Sequence, residues 1–395
     1  MLDVASFIAG PAAATVLSDF GADVIKVEPP GAGDLQRVLA SVPPNPRAHA
    51  NYAWHQTNRN KRGMAVNLKS AGGTEILRRL VMWADVLVTN YPQAARAKLH
   101  LTYDEVAAWN PRVVYADFTG FGNAGPDAAL PGFDFTGYWA RSGLLAMTRD
   151  ANAPPTLPVE GSGDYASAMG LYSAIVTGLY FRERTGRGTC VGTSLLAEGI
   201  WADGTLVSGA LAGGEFYGPH DRKQPPNPLI NPYATADGRW LMLVTTPPHA
   251  SGLAKAIGHQ ELLEDPRFAT AQAIIANSRA LTEVLDRAFA SAPLAHWTQA
   301  LDQERITYGI IQTPEEAARD PQLTANGIVV PLEGVDELDS AISSPITVLA
   351  SPKVPARRAP GLGEHNDEVL AELGFSHADI DAFRTAGVIP PASPP

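Results

Sequence analysis

The chain has a single cysteine, Cys190, among its 395 residues. That excludes an internal disulfide framework and any metal centre built from several thiolates. Alone, Cys190 reads as a small buried hydrophobe. No apolar run approaches the roughly eighteen uncharged residues a membrane span needs, and no basic segment followed by an apolar one opens the chain. The expected location is the cytoplasm, with no membrane partner. Positive charge is in short supply: a net charge of −11 argues against nucleic-acid binding, which needs a broad cationic surface to neutralise phosphates.

What is present is core-forming material. With 45% apolar residues a chain of this length fills a large interior and is expected to divide into two domains. Charge is unevenly spread. Between Lys26 and Lys98 there are 11 Lys/Arg against four acids, Glu28, Asp34, Glu75 and Asp85. Two readings follow: a seat for a small anion, or solvated helix faces and linker residues.

Residues Leu2 to Glu28 give an apolar run, a small-residue helix from Pro11 to Phe20, a Gly21 stop and a second apolar run, Asp23 to Glu28. That is a β-α-β unit. Strand signals recur at Ala84–Thr89 and Arg112–Asp117, with a helical pattern at Gly73–Trp83. Strands alternating with helices predict a parallel, Rossmann-like sheet. A long helix is predicted from Asp164 to Thr185, small at Ala166, Gly170, Ala174 and Gly178 and so able to pack closely on one face. An Asp at that helix start reads, by itself, as an N-cap. After Gly213 the texture turns Pro-rich. A hairpin follows around Ala236-Asp-Gly238, since Asp-Gly tolerates positive φ, then helices at Leu281–Phe289 and Leu294–Leu301, and in the tail near Asp367–Leu373 and His377–Ala386. The expected division is 1–212 for the first part of the large domain, 213–232 linker, 233–343 a smaller α+β domain, and 344–395 a return linker and the rest of the large domain.

The dinucleotide fingerprint fails. After Gly10 the next required glycine positions hold Ala12 and Thr15, so neither the tight turn nor close approach to a pyrophosphate is encoded, and NAD is not expected.

Ordered blocks along almost the whole chain then point to one family. They include Ala9-Gly-Pro11, Gly21 to Pro30, Gly33-Asp34, Asn60-Lys-Arg62, Val66-Asn-Leu-Lys69, Asn90-Tyr91, Pro131-Gly-Phe-Asp134, Gly163-Asp164, Arg184 to Gly188 and Ala359 to His365. In these the sequence resembles family III CoA-transferases of the CaiB/BaiF type. The resemblance implies a large Rossmann-like domain built from both chain ends, a smaller domain between them, and a homodimer of two interlocked rings. It implies coenzyme A as the acyl-CoA substrate, a carboxylic acid as its partner, and no metal. CoA is expected against Phe7, Ile8, Ala9, Val66, Lys69, Asn90, Tyr91 and Lys98. Lysines there suit its phosphates as point charges. Asp164 matches the family's nucleophile, which passes an acyl group through a mixed anhydride and an aspartyl thioester. The helix dipole is expected to keep its carboxylate ionised.

Departures from the pattern carry information. Ile8 stands where some members have a polar side chain, so oxyanion stabilisation falls to backbone N–H groups. A glycine-rich loop found in the oxalate/formate enzymes is missing between Gly218 and Tyr233, which argues against formyl-CoA and oxalate. Met1-Leu2-Asp3 opens about half a strand later than the family's usual beginning, so the expectation is a late start or a trimmed end. An acyl-CoA racemase of the same fold is the main alternative. It requires a histidine before the aspartate matching Asp134, and Phe133 cannot carry a proton. An intramolecular CoA transfer uses the same nucleophile, and a non-catalytic CoA-binding protein is the alternative of another class.

Overall fold

The computed structural model describes residues 1–216, 218–246 and 249–391. Its centre is a sheet of six strands: β1 Leu2–Val4, β2 Val24–Glu28, β3 Lys61–Ala65, β4 Val86–Thr89, β5 Val114–Thr119 and β6 Thr189–Ser194. They lie in the order β3-β2-β1-β4-β5-β6, and every neighbouring pair is parallel. This is the doubly wound order, whose direction of winding reverses between β1 and β4.

Alternate side chains of the strands feed two cores, as a period of two requires. Leu2, Val4, Ile25, Val27 and Leu87 pack with Ile76, Leu77, Leu80 and Val81 of α2 (Ala71–Trp83). The same layer takes Val369, Leu370 and Ile380 from the tail helices Asn366–Glu372 and His377–Thr385. On the other face Val24, Val86, Val88, Val114 and Ala116 meet α1 (Ala9–Asp19) and α4 (Ser162–Thr185), which contributes Leu171 and Ile175. The outer edge of β3 is closed by the tail: the N–H of Gly63 donates to His365 Nδ1 at 3.1 Å, and that of Ala65 to Asn366 Oδ1 at 2.9 Å. Both chain ends therefore build one unit.

Two compact units result. The larger holds residues 1–144, 157–204 and the chain from Pro321 onward, the smaller residues 145–156 and 205–320. Residues 321–343 fall in the larger unit because Val329–Glu333 pairs antiparallel with Ser340–Ile342 and parallel with Ala356–Arg357, while the N–H of Ser344 donates to Asp19 Oδ2 at 3.1 Å. The smaller unit carries the expected hairpin, Ile230–Ala234 with Trp240–Val244, turning at Gly238 with φ of 75°. Tyr308–Ile310 adds a third strand. Helices Ser278–Phe289 and Leu294–Gln303 bury Leu285, Phe289 and Trp297 against Tyr233, Leu241 and Leu243.

Two expectations are corrected. Cys190 is exposed, because β6 is the outermost strand. The small residues of α4 do not form one packed face: Gly178 sits against Val114 and Val191, but Ala166 is exposed. The buried stripe is Gly163, Ser167, Ala168, Leu171, Ile175 and Gly178.

Candidate functional site

In a sheet of this order ligands bind beyond the carboxyl ends of the strands, where the winding reverses. Here that position is bounded by the loop leaving β1, Ala5 to Ile8, and by the Asn90-Tyr91 segment leaving β4. The two are tied together: the Asn90 side chain accepts from the N–H of Ser6 and donates to its carbonyl, both at 2.8 Å. Phe7 has a left-handed backbone, φ of 64°, a conformation that costs a non-glycine residue about 1–3 kcal/mol unless its surroundings enforce it. The enforcing group is Asp34. Its Oδ1 accepts from the N–H of Phe7 at 3.0 Å, and its Oδ2 from Lys26 Nζ at 2.8 Å. Lys26 is fully buried and also donates to the carbonyl of Ala5 at 2.5 Å. With Asp3 and Asp34 beside it, its ammonium is held charged and its pKa is raised although burial opposes this.

The Phe7 turn delivers Ile8, buried at the start of α1, with Ala9 as the first helical residue. On the other loop, Tyr91 is part-buried, and burial pushes its phenol up. Arg96 of α3 (Gln93–Lys98) holds the Tyr91 carbonyl at 2.5 Å and pairs with Asp117 Oδ1 at 2.6 Å. Val66 leaves β3 with its N–H on the carbonyl of Glu28 at 2.9 Å, and Lys69 follows, exposed. Thus Phe7, Ile8, Ala9, Asn90 and Tyr91 come together. Val66 and Lys69 lie two strands away, about 10 Å along the same edge, and Lys98 lies exposed at the far end of α3.

The local excess of cations is mostly internal. Lys26, Arg37, Arg59, Lys61, Arg62, Arg78, Arg79 and Arg96 all pair with carboxylates, several from outside the segment. Of the eleven, only Arg47, Lys69 and Lys98 form no ion pair among the described residues, and two of those three are the expected phosphate contacts.

Asp164 is the third residue of α4. The N-cap is Gly161, φ of 74°, which has no side chain to cap with, so the capping reading of Asp164 is set aside. A Cβ on Gly161 would stand 3.0 Å from Ile8 Cδ1. The first turn of α4 therefore touches the loop leaving β1. Against the same turn lies the π-helix Asp134–Ala140. Trp139 Nε1 donates to Ser162 Oγ at 3.2 Å, and a Cβ on Gly163 would fall 2.2 Å from Asp134 Oδ1 and 2.5 Å from Tyr138 Cγ. Only glycine fits there.

The expectation that the dipole keeps Asp164 fully ionised is corrected. Burial, then the charge of Asp134, push its carboxyl up to about 7 from an ordinary 3.8. That corresponds to about 4 kcal/mol against the charged form, more than the ~0.3–2 kcal/mol a helix N-terminus returns. Asp134 itself is raised to about 6, first by burial, with the N–H groups of Gly161, Gly163 and Asp164 acting in the opposite sense.

The sequence model of the family described as CoA-transferase family III matches residues 1–366. The chain belongs to CoA-transferase family III. It is an enzyme of the CoA-transferase class, with CoA thioesters as substrates. The (R)-2-hydroxy-4-methylpentanoate CoA-transferase of Clostridioides difficile is 30% identical over 394 residues, covering 98% of both chains. The succinate–glutarate CoA-transferase of Agrobacterium fabrum is 31% identical over 393 residues, 94% of each. A crystal structure of a CaiB/BaiF family protein from Brucella suis is 29% identical, with a TM-score of 0.83 over 94% of this chain and 97% of that one.

For a family III chain, the sequence pointed to Asp164 and the edge loops but missed how they are held. Asp34 and Lys26 were visible as the Gly33-Asp34 block and a lysine inside an apolar run. Asp134 stood in the Pro131-Gly-Phe-Asp134 block, yet its place against Gly163 depends on packing between segments some thirty residues apart. Phe133, where a racemase needs histidine, is exposed and sets its ring edge-on to Phe7 at 5.9 Å.

Proposed function

We propose that this CoA-transferase moves CoA from an acyl-CoA thioester to a free carboxylate through an anhydride on Asp164. The observation that carries this is the contact between Ile8 and Gly161, which sets the carboxylate's turn against the loop expected to take CoA. The ionised Asp164 attacks the thioester carbonyl, the C–S bond breaks and CoA leaves as thiolate. The thiolate attacks the aspartyl carbonyl, releasing the first carboxylate and leaving an aspartyl thioester. The acceptor carboxylate displaces CoA to form a second anhydride, and CoA takes its acyl group, restoring Asp164. Thioester energy is conserved throughout. Because Ile8 is apolar, backbone N–H groups stabilise the oxyanion.

Lys69 and Lys98, free of carboxylate partners among the described residues, take the phosphates of CoA, with Phe7, Ile8, Ala9, Val66, Asn90 and Tyr91 lining the rest. Tyr138 and Trp139, beside Gly163 and Ser162, border the acyl group. The protein works in the cytoplasm as an interlocked homodimer. Support for a second copy comes from the outward face of α4, where Val176, Tyr180 and Phe181 are exposed, and from Trp201, 86% exposed. The test is a mass-spectrometric screen of acyl-CoA donors against hydroxy-acid and dicarboxylate acceptors, with hydroxylamine added during turnover. A hydroxamate on the Asp164 peptide, dependent on acyl-CoA, is the expected result; transfer through a direct ternary complex, with no exchange of label into free CoA from donor alone, contradicts it.

A further inference from the structure

The first turn of α4 is ringed by apolar side chains, several of them open to solvent. Ile8 Cδ1 and Tyr165 Cε2 stand 3.0 and 3.5 Å from where a Cβ on Gly161 would be. Phe133, the residue before the π-helix, sets its ring against Phe7 and is still 57% exposed. Val159 is 79% exposed, while its carbonyl is fixed to Ser162 of α4, accepting from the backbone N–H at 3.3 Å and from Oγ at 2.6 Å. Apolar side chains exposed singly mean little, but a group of them gathered around one polar spot marks a place where a ligand buries apolar surface.

The charge around this rim has one sign. Asp134 acts on Asp164, and Glu160, next to Val159, acts on Asp134 and on Tyr52 of the helix Tyr52–Asn58. Two phenols register it. Burial and then Asp164 push Tyr165 up to about 12, and burial and then Glu160 push Tyr52 up. Among the described residues no cation shifts Asp164 or Tyr52. Arg59, which acts on Tyr165, is held by Asp19 at 2.8 and 2.7 Å, and Arg141, at the end of the π-helix, by Asp127 at 2.7 Å.

We propose that the acyl groups taken by this site are uncharged and apolar, with a branched-chain or aryl end seated on Phe7, Ile8, Phe133, Val159 and Tyr165, and that acyl groups bearing a second carboxylate are disfavoured. The proposal rests on reading Asp164 as the nucleophile, which puts the acyl carbon at this turn. An apolar end is taken out of water against the rim, a gain of roughly fourfold in kcat/KM per methylene buried. A second carboxylate loses water there without a partner and meets Asp134 and Glu160. At a spacing of ~8 Å, in a medium of effective dielectric ~20, one such like charge opposes it by about thirtyfold. The carboxyl group that reacts is common to every substrate, so it cancels from the comparison.

4-Methylpentanoyl-CoA and succinyl-CoA have nearly the same shape, with an isopropyl group in one where the other has a carboxylate. Each is incubated with the full-length protein and its own carbon-13-labelled free acid, and label entering the thioester is followed by mass spectrometry. At low thioester concentration the exchange rate should be at least tenfold greater for 4-methylpentanoyl-CoA than for succinyl-CoA, with 3-phenylpropanoyl-CoA on the same side. Val159→Lys, at an exposed position where substitution costs the fold little, sets a cation on the rim. It should narrow the ratio at least threefold, and less at high salt. Wild-type exchange of succinyl-CoA as fast as that of 4-methylpentanoyl-CoA overturns the proposal. So does a ratio that Val159→Lys leaves unmoved, the result expected if a second copy of the chain covers the rim instead. Exchange runs with or without an anhydride on Asp164. The ratio therefore judges the acyl seat, and the hydroxamate on the Asp164 peptide judges the covalent reading separately.

Discussion

Asp164→Asn should stabilise the protein at pH 8 and leave it nearly unchanged at pH 4. The carboxyl is raised in the folded state from 3.8 to about 7. Below the lower value both folded and unfolded chains carry the proton, and the group contributes nothing. Between the two, the unfolded chain releases its proton while the folded one keeps it, so stability falls as pH rises. Above the higher value both are ionised and the full deficit remains. At ~1.4 kcal/mol per tenfold the deficit has a ceiling of about 4 kcal/mol. Asp164 is only part-buried, and screening by water brings the expected gain to about 2 to 4 kcal/mol. For a chain of this size, with an unfolding entropy near ~2 cal/mol/K per residue, that is a rise in Tm of about 2 to 5 °C. Scanning calorimetry of wild type and variant at one protein concentration, without CoA, from pH 4 to 8.5, provides the test. A Tm difference that does not grow between pH 4 and 7, or a variant less stable at pH 8, refutes the electrostatic account of the site.

Other outcomes follow from the same geometry. Lys69→Ala and Lys98→Ala should each weaken CoA binding by about 1–3 kcal/mol, less at high salt, if each makes a charge-assisted bond to phosphate; calorimetric titration at two ionic strengths checks this, and unchanged affinity in both variants removes the placement of CoA. Asn90→Ala leaves the N–H and carbonyl of Ser6 without their partner and should cost about 1–3 kcal/mol of stability while raising KM for acyl-CoA more than it lowers kcat. With Phe133 in place of a proton carrier, a 2-methylacyl-CoA in deuterated water should show no enzyme-dependent α-exchange by NMR, and rapid uptake would restore the racemase.

The sheet was legible where its strands are apolar runs, as at Ala84–Thr89 and Arg112–Asp117, because strands buried on both faces leave no other pattern. β3, Lys61-Arg-Gly-Met-Ala65, gave no such signal. Its lysine is buried among Asp3 at 2.8 Å, Asn58 and the carbonyls of Pro11 and Thr57, partners that only the fold assembles. β6, Thr189–Ser194, was hidden because half its residues face outward at the sheet edge. The cationic segment misled for the same reason: Asp19 and Asp117, which neutralise Arg59 and Arg96, lie outside it. Motif order pointed to the Asp164 turn as the proposed site, whereas the charge state of that turn depends on its burial and then on Asp134, about whose distance from Asp164 the sequence says nothing.

The covalent role of Asp164 is tested most directly by measuring CoA transfer with Asp164→Ala, using a donor and acceptor pair that wild type turns over. Loss of an acidic first-turn residue that caps nothing leaves the fold standing, and the proposed phosphate contacts, Lys69 and Lys98, lie on other segments. The account predicts that transfer disappears while CoA affinity stays within a few-fold of wild type. Transfer by Asp164→Ala at near wild-type rate would contradict it.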